Sequence, residues 1–294
     1  MDCVAQEDGS LRPFMGGSPF NLARAAALRG AKVGYLNPLS SDLFGLQMQD
    51  QLGYDGVQLL TPASRLPTSL AVVQLTNGQP SYGFYREGIA DRDYTVDQIV
   101  SALASTSPGV LHTGSLLLIP PEHKKIMAIL QRAKALGWTL SVDVNLRPKL
   151  ATNLAAYVDA VKAVAALADW LKASDEDLAL LGFAAPKRAD APHIASHFRA
   201  QGVSRIALTF GNEGAWLEVE GAQAEQDVPA VTVVDTVGAG DTFWGNCLGD
   251  WVLQAPSARE RVTTTLRQAM RAAALNCSRP GCQPPTWAEV QAVG

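Results

Sequence analysis

Cysteine is scarce in this chain. Cys3, Cys247, Cys277 and Cys282 are the only four in 294 residues, and their spacing suits neither a disulfide framework nor a zinc cage. They read as free thiols of a reducing cytoplasm. No apolar run is long enough to span a bilayer, and no leader-like segment precedes the first motif, so a cytoplasmic protein without a membrane is expected. Excess positive charge is lacking too. The net charge of −4 excludes a broad surface for nucleic acid or anionic lipid. No Gly-Lys-Ser/Thr phosphate loop occurs anywhere. Repeats, low-complexity tracts and long linkers are absent. His193 and His197 are four apart, yet no further ligands stand near them, so they read as a solvated helix face. What remains is an ordinary apolar content of 47 %, ample for one large domain over residues 1–294.

Strand-like and helix-like segments alternate along most of the chain. Helices are expected at residues 20–29, 43–52, 122–136, 154–167, 176–181, 194–201, 240–253 and 259–277, with a short last one at 286–292. Strands are expected at 33–36, 110–113, 140–144, 170–173 and 205–210, and an antiparallel pair at 215–219 and 222–228. The rhythm breaks at residues 70–85, where two β-rich runs flank Asn77-Gly78, a hairpin signal. The fold class is therefore α/β: a mostly parallel central sheet with helices on both faces, plus a small β-rich lid assigned to residues 9–17 and 66–90. Ligands of such sheets bind beyond the carboxyl ends of the strands.

The most informative stretch is Asp235-Thr236-Val237-Gly238-Ala239-Gly240-Asp241-Thr242. It follows a β-type run at 228–234 and opens a helix. Gly238 and Gly240 permit a tight turn around the small Ala239, which leaves main-chain NH groups free at a helix N-terminus, a site suited to phosphate. Asp241 at its mouth would repel phosphate, but it is well suited to take a proton from an attacking hydroxyl. A glycine turn with an acidic cap would look the same in isolation. Its glycine spacing does not match the dinucleotide fingerprint.

This string resembles the C-terminal signature of the ribokinase/PfkB family of carbohydrate kinases. Gly16-Gly17-Ser18-Pro19-Phe20-Asn21 resembles the family's N-terminal signature, and Ser41-Asp42-Leu43-Phe44-Gly45 continues it. Asp143-Val144-Asn145-Leu146-Arg147 is similar to a segment of fructokinases and 2-keto-3-deoxygluconate kinases. Tyr85-Arg86-Glu87-Gly88-Ile89-Ala90-Asp91-Arg92 resembles the fructokinase pattern. The resemblance implies a ribokinase-like fold and phosphorylation of a sugar by ATP with Mg²⁺. Asp241 would be the base. Gly238, Ala239, Gly240 and Arg147 would stabilise the transferred group. Asp2, Gly17, Asn21, Arg86 and Asn145 would contact the sugar. Thr209, Gly211 and Gly214, in a segment similar to the family's Thr-x-Gly-x-x-Gly, would line the nucleotide with Asn276. Asp177 is the candidate near magnesium, and Asp235, beside Thr236, the candidate for a monovalent cation such as K⁺. Pairing of lids implies a homodimer.

Two departures stand out. Where the family carries Asn-x-x-Glu, this chain has Ser174-Asp175-Glu176-Asp177. At the front, Asp2 aligns with the family's sugar-contacting aspartate while the strand before it has no counterpart, so an internal strand is expected to be missing and the chain to be poorly stable. Three readings remain open: a fructokinase-like enzyme, a 2-keto-3-deoxygluconate or nucleoside kinase, and a non-catalytic sugar- or nucleotide-binding regulator.

Overall fold

The computed structural model describes residues 1–294 except 7, 77, 78 and 294. Strands β1 (Asp2–Ala5) and β2 (Leu11–Phe14) precede helix α1 (Ser18–Leu28), strand β3 (Val33–Tyr35), helix α2 (Leu43–Tyr54) and strand β4 (Val57–Leu59). Strands β5 (Leu70–Thr76) and β6 (Gln79–Tyr85) follow, and the Asn77-Gly78 turn lies outside the described residues. Helix α3 (Val96–Ala104) leads into three βα units, β7 (Val110–Gly114) with α4 (His123–Ala135), β8 (Thr139–Asp143) with α5 (Leu154–Ala165), and β9 (Trp170–Ser174) with α6 (Asp175–Leu181) and α7 (Ala191–Ala200), followed by strand β10 (Arg205–Thr209). Strands β11 (Ala215–Val219) and β12 (Ala222–Gln226), then helices α8 (Ala239–Leu253), α9 (Val262–Cys277) and α10 (Trp287–Ala292), complete the chain.

The fold is ribokinase-like α/β. The central sheet has the order β12-β11-β10-β9-β8-β7. Strands β7 to β10 run parallel, and β11 and β12 turn back antiparallel. Alternation along the strands assigns the two faces. Leu171, Ala173, Ile206 and Leu208 pack with Leu130, Tyr157, Val161 and Ile194 of the helices on one face. Trp170, Ala207 and Leu217 pack with Trp244, Trp251 and Leu266 of α8 and α9 on the other. Helix α4 shows why the periodicity was legible: its buried residues are Ile126, Ile129, Leu130 and Ala133, one stripe of an amphipathic helix.

A second sheet, β2-β1-β5-β6, is separate from the first and takes in strands from both stretches expected as a lid, 9–17 and 66–90. Here the structure extends the expectation, because β1 joins the lid by pairing parallel to β5 and antiparallel to β2. The Met1 amino group donates to the Ser69 carbonyl at 3.0 Å. Strands β3 and β4 pair only with each other among the described residues, and β7 ends the central sheet. The β-type run at 228–234 is a correction: no strand forms there. Pro229 lacks a donor, and the Val234 and Asp235 amides instead donate to the Cys277 carbonyl at the end of α9. Helix α3, absent from the sequence-based assignment, starts at a capping box between Thr95 and Gln98.

One contact sets the position of the functional groups. Helix α8 presents Gly245 and Gly249, four residues apart, to α1. A Cβ on Gly245 would come within 2.7 Å of the Ala25 Cβ, and one on Gly249 within 2.9 Å of the Arg29 Cγ. The two helices therefore touch backbone to backbone at their crossing, which aligns the first turn of α1 with the first turn of α8. Arg29 and Arg261 both bind the Asp250 carboxylate and anchor the far end.

Candidate active site

A cleft of about 370 Å³ opens between the lid and the carboxyl ends of the central strands. Glycines 238 and 240, Ala239 and Asp241 form one wall, and Asp2, Gly17, Asn21, Arg86, Asn145 and Arg147 also line it. Ten positions scattered over the sequence thus converge on one space. They come from a lid strand, the start of α1, the end of β6, the loop after β8 and the start of α8.

Gly238 caps α8 with φ +74° and ψ 6°, a left-handed conformation, and its carbonyl accepts the Thr242 amide at 2.8 Å. The turn sets the first residues of α8, the partial positive end of the helix, on the cleft wall, with the Ala239 amide donating to the Thr236 carbonyl at 3.2 Å. Asp241 sits in that first turn and is 8 % exposed. Ser18 Oγ donates to its Oδ1 at 2.6 Å, and Asn21 Nδ2 donates to its Oδ2 at 2.9 Å. Asn145, itself at φ +39°, donates from Nδ2 to Ser18 Oγ at 3.0 Å. Both oxygens of the carboxylate are thereby aimed. The Asn21 Oδ1 is a buried acceptor without a partner. Such an orphan in a cleft wall is an open position for a hydroxyl donor.

Two arginines face this group. Arg86 donates to Asp91 at 2.9 Å through Nη2, while its Nε and Nη1 are buried and unpartnered. Arg147 is exposed, and its Nη1 reaches the carbonyl of Leu146 at 3.0 Å. Burial raises the Asp2 carboxyl, with Asp241 and Asp235 adding repulsion against the pull of the Met1 amino group and Arg147. Burial, then the nearby Asp241 charge, push the Cys282 thiol up as well. That thiol is therefore protonated and inert, consistent with a packing role behind Gly238.

Other expected residues stand outside the cleft. Asn276 is fully buried; it donates to the Val237 carbonyl at 2.8 Å and accepts from the Gln283 amide at 2.9 Å, so it braces the loop before α8. Thr209 ends β10. Gly211 follows at φ +52°, and Gly214 at φ +94° lies against the Gln226 carbonyl, where a side chain would not fit. Asp177 is a clearer correction. Its Oδ1 accepts the Leu146 amide at 2.7 Å, and its Oδ2 accepts the Ser174 amide at 2.8 Å and hydroxyl at 2.9 Å. A carboxylate so engaged caps α6 and fixes the loop after β8; it does not fit an open metal ligand. Asp235 accepts from the Val237 amide at 3.0 Å and the Gly281 amide at 2.9 Å, tying two loops together. Among the described residues no cluster of three metal-ligating side chains occurs.

Sequence reasoning missed Ser18 and Lys172. Ser18 stands inside a stretch already singled out, but only the packing of α1 on α8 gives it a partner. Lys172 carried a signal of its own, a lone cation inside the apolar strand Trp170-Leu171-Lys172-Ala173.

Comparison with known proteins agrees with this geometry. The pattern of the pfkB family carbohydrate kinases matches residues 2–289. The fructokinase of Rhizobium leguminosarum bv. trifolii is 31 % identical over 264 residues, covering 88 % of this chain and 78 % of its own. The crystal structure of a fructokinase with bound ATP from Xylella fastidiosa matches with a TM-score of 0.85 at 26 % identity, covering 99 % of this chain and 94 % of that one. A Vibrio cholerae O395 fructokinase, crystallised with fructose, ADP and calcium ion, shares the fold with a TM-score of 0.82 at 23 % identity, covering 99 % and 94 %. The chain belongs to the pfkB family of carbohydrate kinases.

Proposed function

We propose that this kinase transfers the γ-phosphoryl group of ATP to a primary hydroxyl of a sugar, with fructose as the preferred acceptor. The observation that carries the reading is the pairing, in one cleft, of an aimed Asp241 carboxylate with the N-terminal turn of α8, whose Ala239 amide donates to the Thr236 carbonyl at 3.2 Å. The names of the relatives support fructose.

In this reading the sugar enters under the lid. Its hydroxyls meet Asn21 Oδ1, Asn145, Asp2 and Arg86, with the backbone of Gly17 alongside. The acceptor hydroxyl displaces the Ser18 hydroxyl at Asp241, which takes its proton as the O–P bond forms. The amides of Gly238, Ala239 and Gly240 receive the charge that builds on the transferred group, and Arg147 swings onto it from the open side. ADP and the sugar phosphate then leave. The protein contributes position and electrostatics more than covalent chemistry. The nucleotide extends toward Thr209, Gly211 and Gly214. Among the described residues no three acidic, histidine or cysteine side chains gather to hold a divalent ion, so Mg²⁺ would enter with the nucleotide and be held chiefly by its phosphates.

Four free cysteines and the absence, among the described residues, of a helix able to cross a membrane support a cytoplasmic enzyme. Leu11 and Tyr85, 51 % and 65 % exposed on the edge strands of the lid, support a homodimer that pairs lid to lid.

The test is an ADP-release assay over fructose, other hexoses, 2-keto-3-deoxygluconate and nucleosides. Turnover is expected with fructose first. Asp241→Asn should lower it by a factor of about 100 or more while leaving ATP binding in place. Near wild-type phosphorylation by that variant removes the base, and silence over the whole panel favours a regulator. The unpartnered Nε and Nη1 of Arg86 favour one competing acceptor, the keto acid, whose carboxylate would satisfy both.

A further inference from the structure

Lys172 lies in the middle of β9 and is 4 % exposed, yet it reaches the floor of the cleft. Its Nζ contacts both oxygens of Asp143 at 3.0 Å, the residue beside it on β8. The row across the sheet reads Gly114, Asp143, Lys172, Ala207. Small residues flank the pair, so the N-terminal turn of α8 settles directly onto it. A Cβ on Gly240 would lie 3.3 Å from the Lys172 Nζ and 3.5 Å from its Cε.

A buried ion pair is a poor stabiliser. Desolvating both charges offsets most of their attraction, and an apolar pair of similar volume commonly holds a core as well. The adjoining positions on this face, Trp170 and Ala207, are apolar and pack in the ordinary way. The pair therefore needs a reason beyond stability, and its place beneath the amides of Gly240 and Asp241 supplies one. Burial pushes the Lys172 ammonium down, but Asp143, Asp177 and Asp241 together hold it above its ordinary value, so it stays charged. Two of the residues lining the cleft, Asp2 and Asp241, are acidic and would repel a nucleotide's terminal phosphate. Arg147 counters them from an exposed arm and Arg86 is engaged by Asp91; Lys172 is buried and held on Asp143 under the nest.

We propose that Lys172 is a positioning residue for phosphoryl transfer: seated on Asp143, it props the first turn of α8 from below and sets a fixed positive charge behind the amides that receive the transferring group. This rests on the assignment of the α8 amides as the phosphoryl site. The charge acts where negative charge accumulates during transfer, so it favours the transition state more than bound substrates.

The test compares wild type with Lys172→Met and with the double variant Lys172→Met/Asp143→Asn, which leaves no orphaned carboxylate. Thermal melting, kcat, KM for the sugar, and affinity for ADP with and without aluminium fluoride are measured on each. The double variant is expected to fold with a melting temperature near wild type. Its kcat should fall by about 10- to 100-fold with little change in KM. Its extra affinity for ADP with aluminium fluoride, the mimic of the transferring group, should fall by a similar factor while affinity for ADP alone holds. Lys172→Arg should recover part of the loss if it keeps the charge in place. The proposal is overturned if the double variant folds and keeps both kcat and the aluminium fluoride preference. It is overturned equally if the double variant cannot fold, since the pair is then a structural requirement. Failure of Asp241→Asn to reduce turnover would instead remove the underlying site assignment, so the two failures are distinguishable.

Discussion

Gly238→Ala probes the phosphate nest most directly. Two costs can be worked from the structure. At φ +74° an L-residue pays for the left-handed conformation, about 1–2 kcal/mol. The new methyl would also overlap the Cys282 Sγ and lie 2.7 Å from its Cβ and 3.4 Å from Asn21 Nδ2. The loop carrying Cys282 cannot yield freely, because the Gly281 amide is bound to Asp235 and the Cys282 carbonyl accepts from Arg24 at 3.1 Å. Overpacking of this kind costs about 1–3 kcal/mol. The sum is about 2–5 kcal/mol of stability. Displacement of Asn21 or of the α8 turn would also misaim Asp241, and misplacement on the order of 1 Å lowers turnover about 100-fold. Cys282→Ala in the same background removes the sulfur but not the backbone cost. It should return about 1–2 kcal/mol, more than a strictly additive pair would give. Urea unfolding and ADP release on the four members of the cycle provide the measurement. A Gly238→Ala protein within about 0.5 kcal/mol of wild type, with more than half its turnover, would refute the reasoning. Strict additivity would show that residues 238 and 282 do not touch.

Three further outcomes are expected. Asp177→Asn should cost about 1–2 kcal/mol through its lost cap, with the Mg²⁺ dependence of turnover unchanged; a weakened Mg²⁺ response would return Asp177 to the metal. Burial, with Lys172 adding repulsion, pushes the His112 ring down to about 3 from 6.5. Its folded-state value is depressed, so its stabilisation is present above pH 6.5 and is lost as pH falls toward 3. Between pH 7.5 and 5 the loss is about 1–2 kcal/mol, scaled down for a half-buried ring. His112→Asn should lose that dependence, and denaturant midpoints giving a pH-independent difference between the two proteins would refute it. Among the described residues strand β7 has a neighbour on one side only, so its amides should exchange faster than those of β9, which is flanked by β8 and β10; equal protection by hydrogen exchange would contradict that edge.

The amino-acid order alone determined a good part of this. Apolar alternation located the parallel strands, and the 3.6 period located their helices, because each element buries one stripe or face against the same core. The string from Asp235 to Asp241 announced a turn with free amides, since only glycine enters the left-handed region of Gly238 without strain. Local chemistry misled where long-range partners won. The valine-rich run at 228–234 looked like a strand, but its last amide, that of Val234, and the next, of Asp235, are claimed by the end of α9. Asn276 looked exposed to a ligand and is instead fully buried as a loop brace.

Tertiary structure alone decided which groups meet. Ser18 and Asp241 stand 223 positions apart, and nothing near either one names the other. They touch because Gly245 and Gly249 bring α8 against α1 at backbone distance. Lys172 and Asp143 likewise became partners only through the register of β8 on β9, which turned an isolated cation in an apolar strand into a charge beneath the helix terminus. Sequence carries the preferences of each segment, whereas contacts between distant segments depend on how whole elements pack, and that is a property of the assembled core.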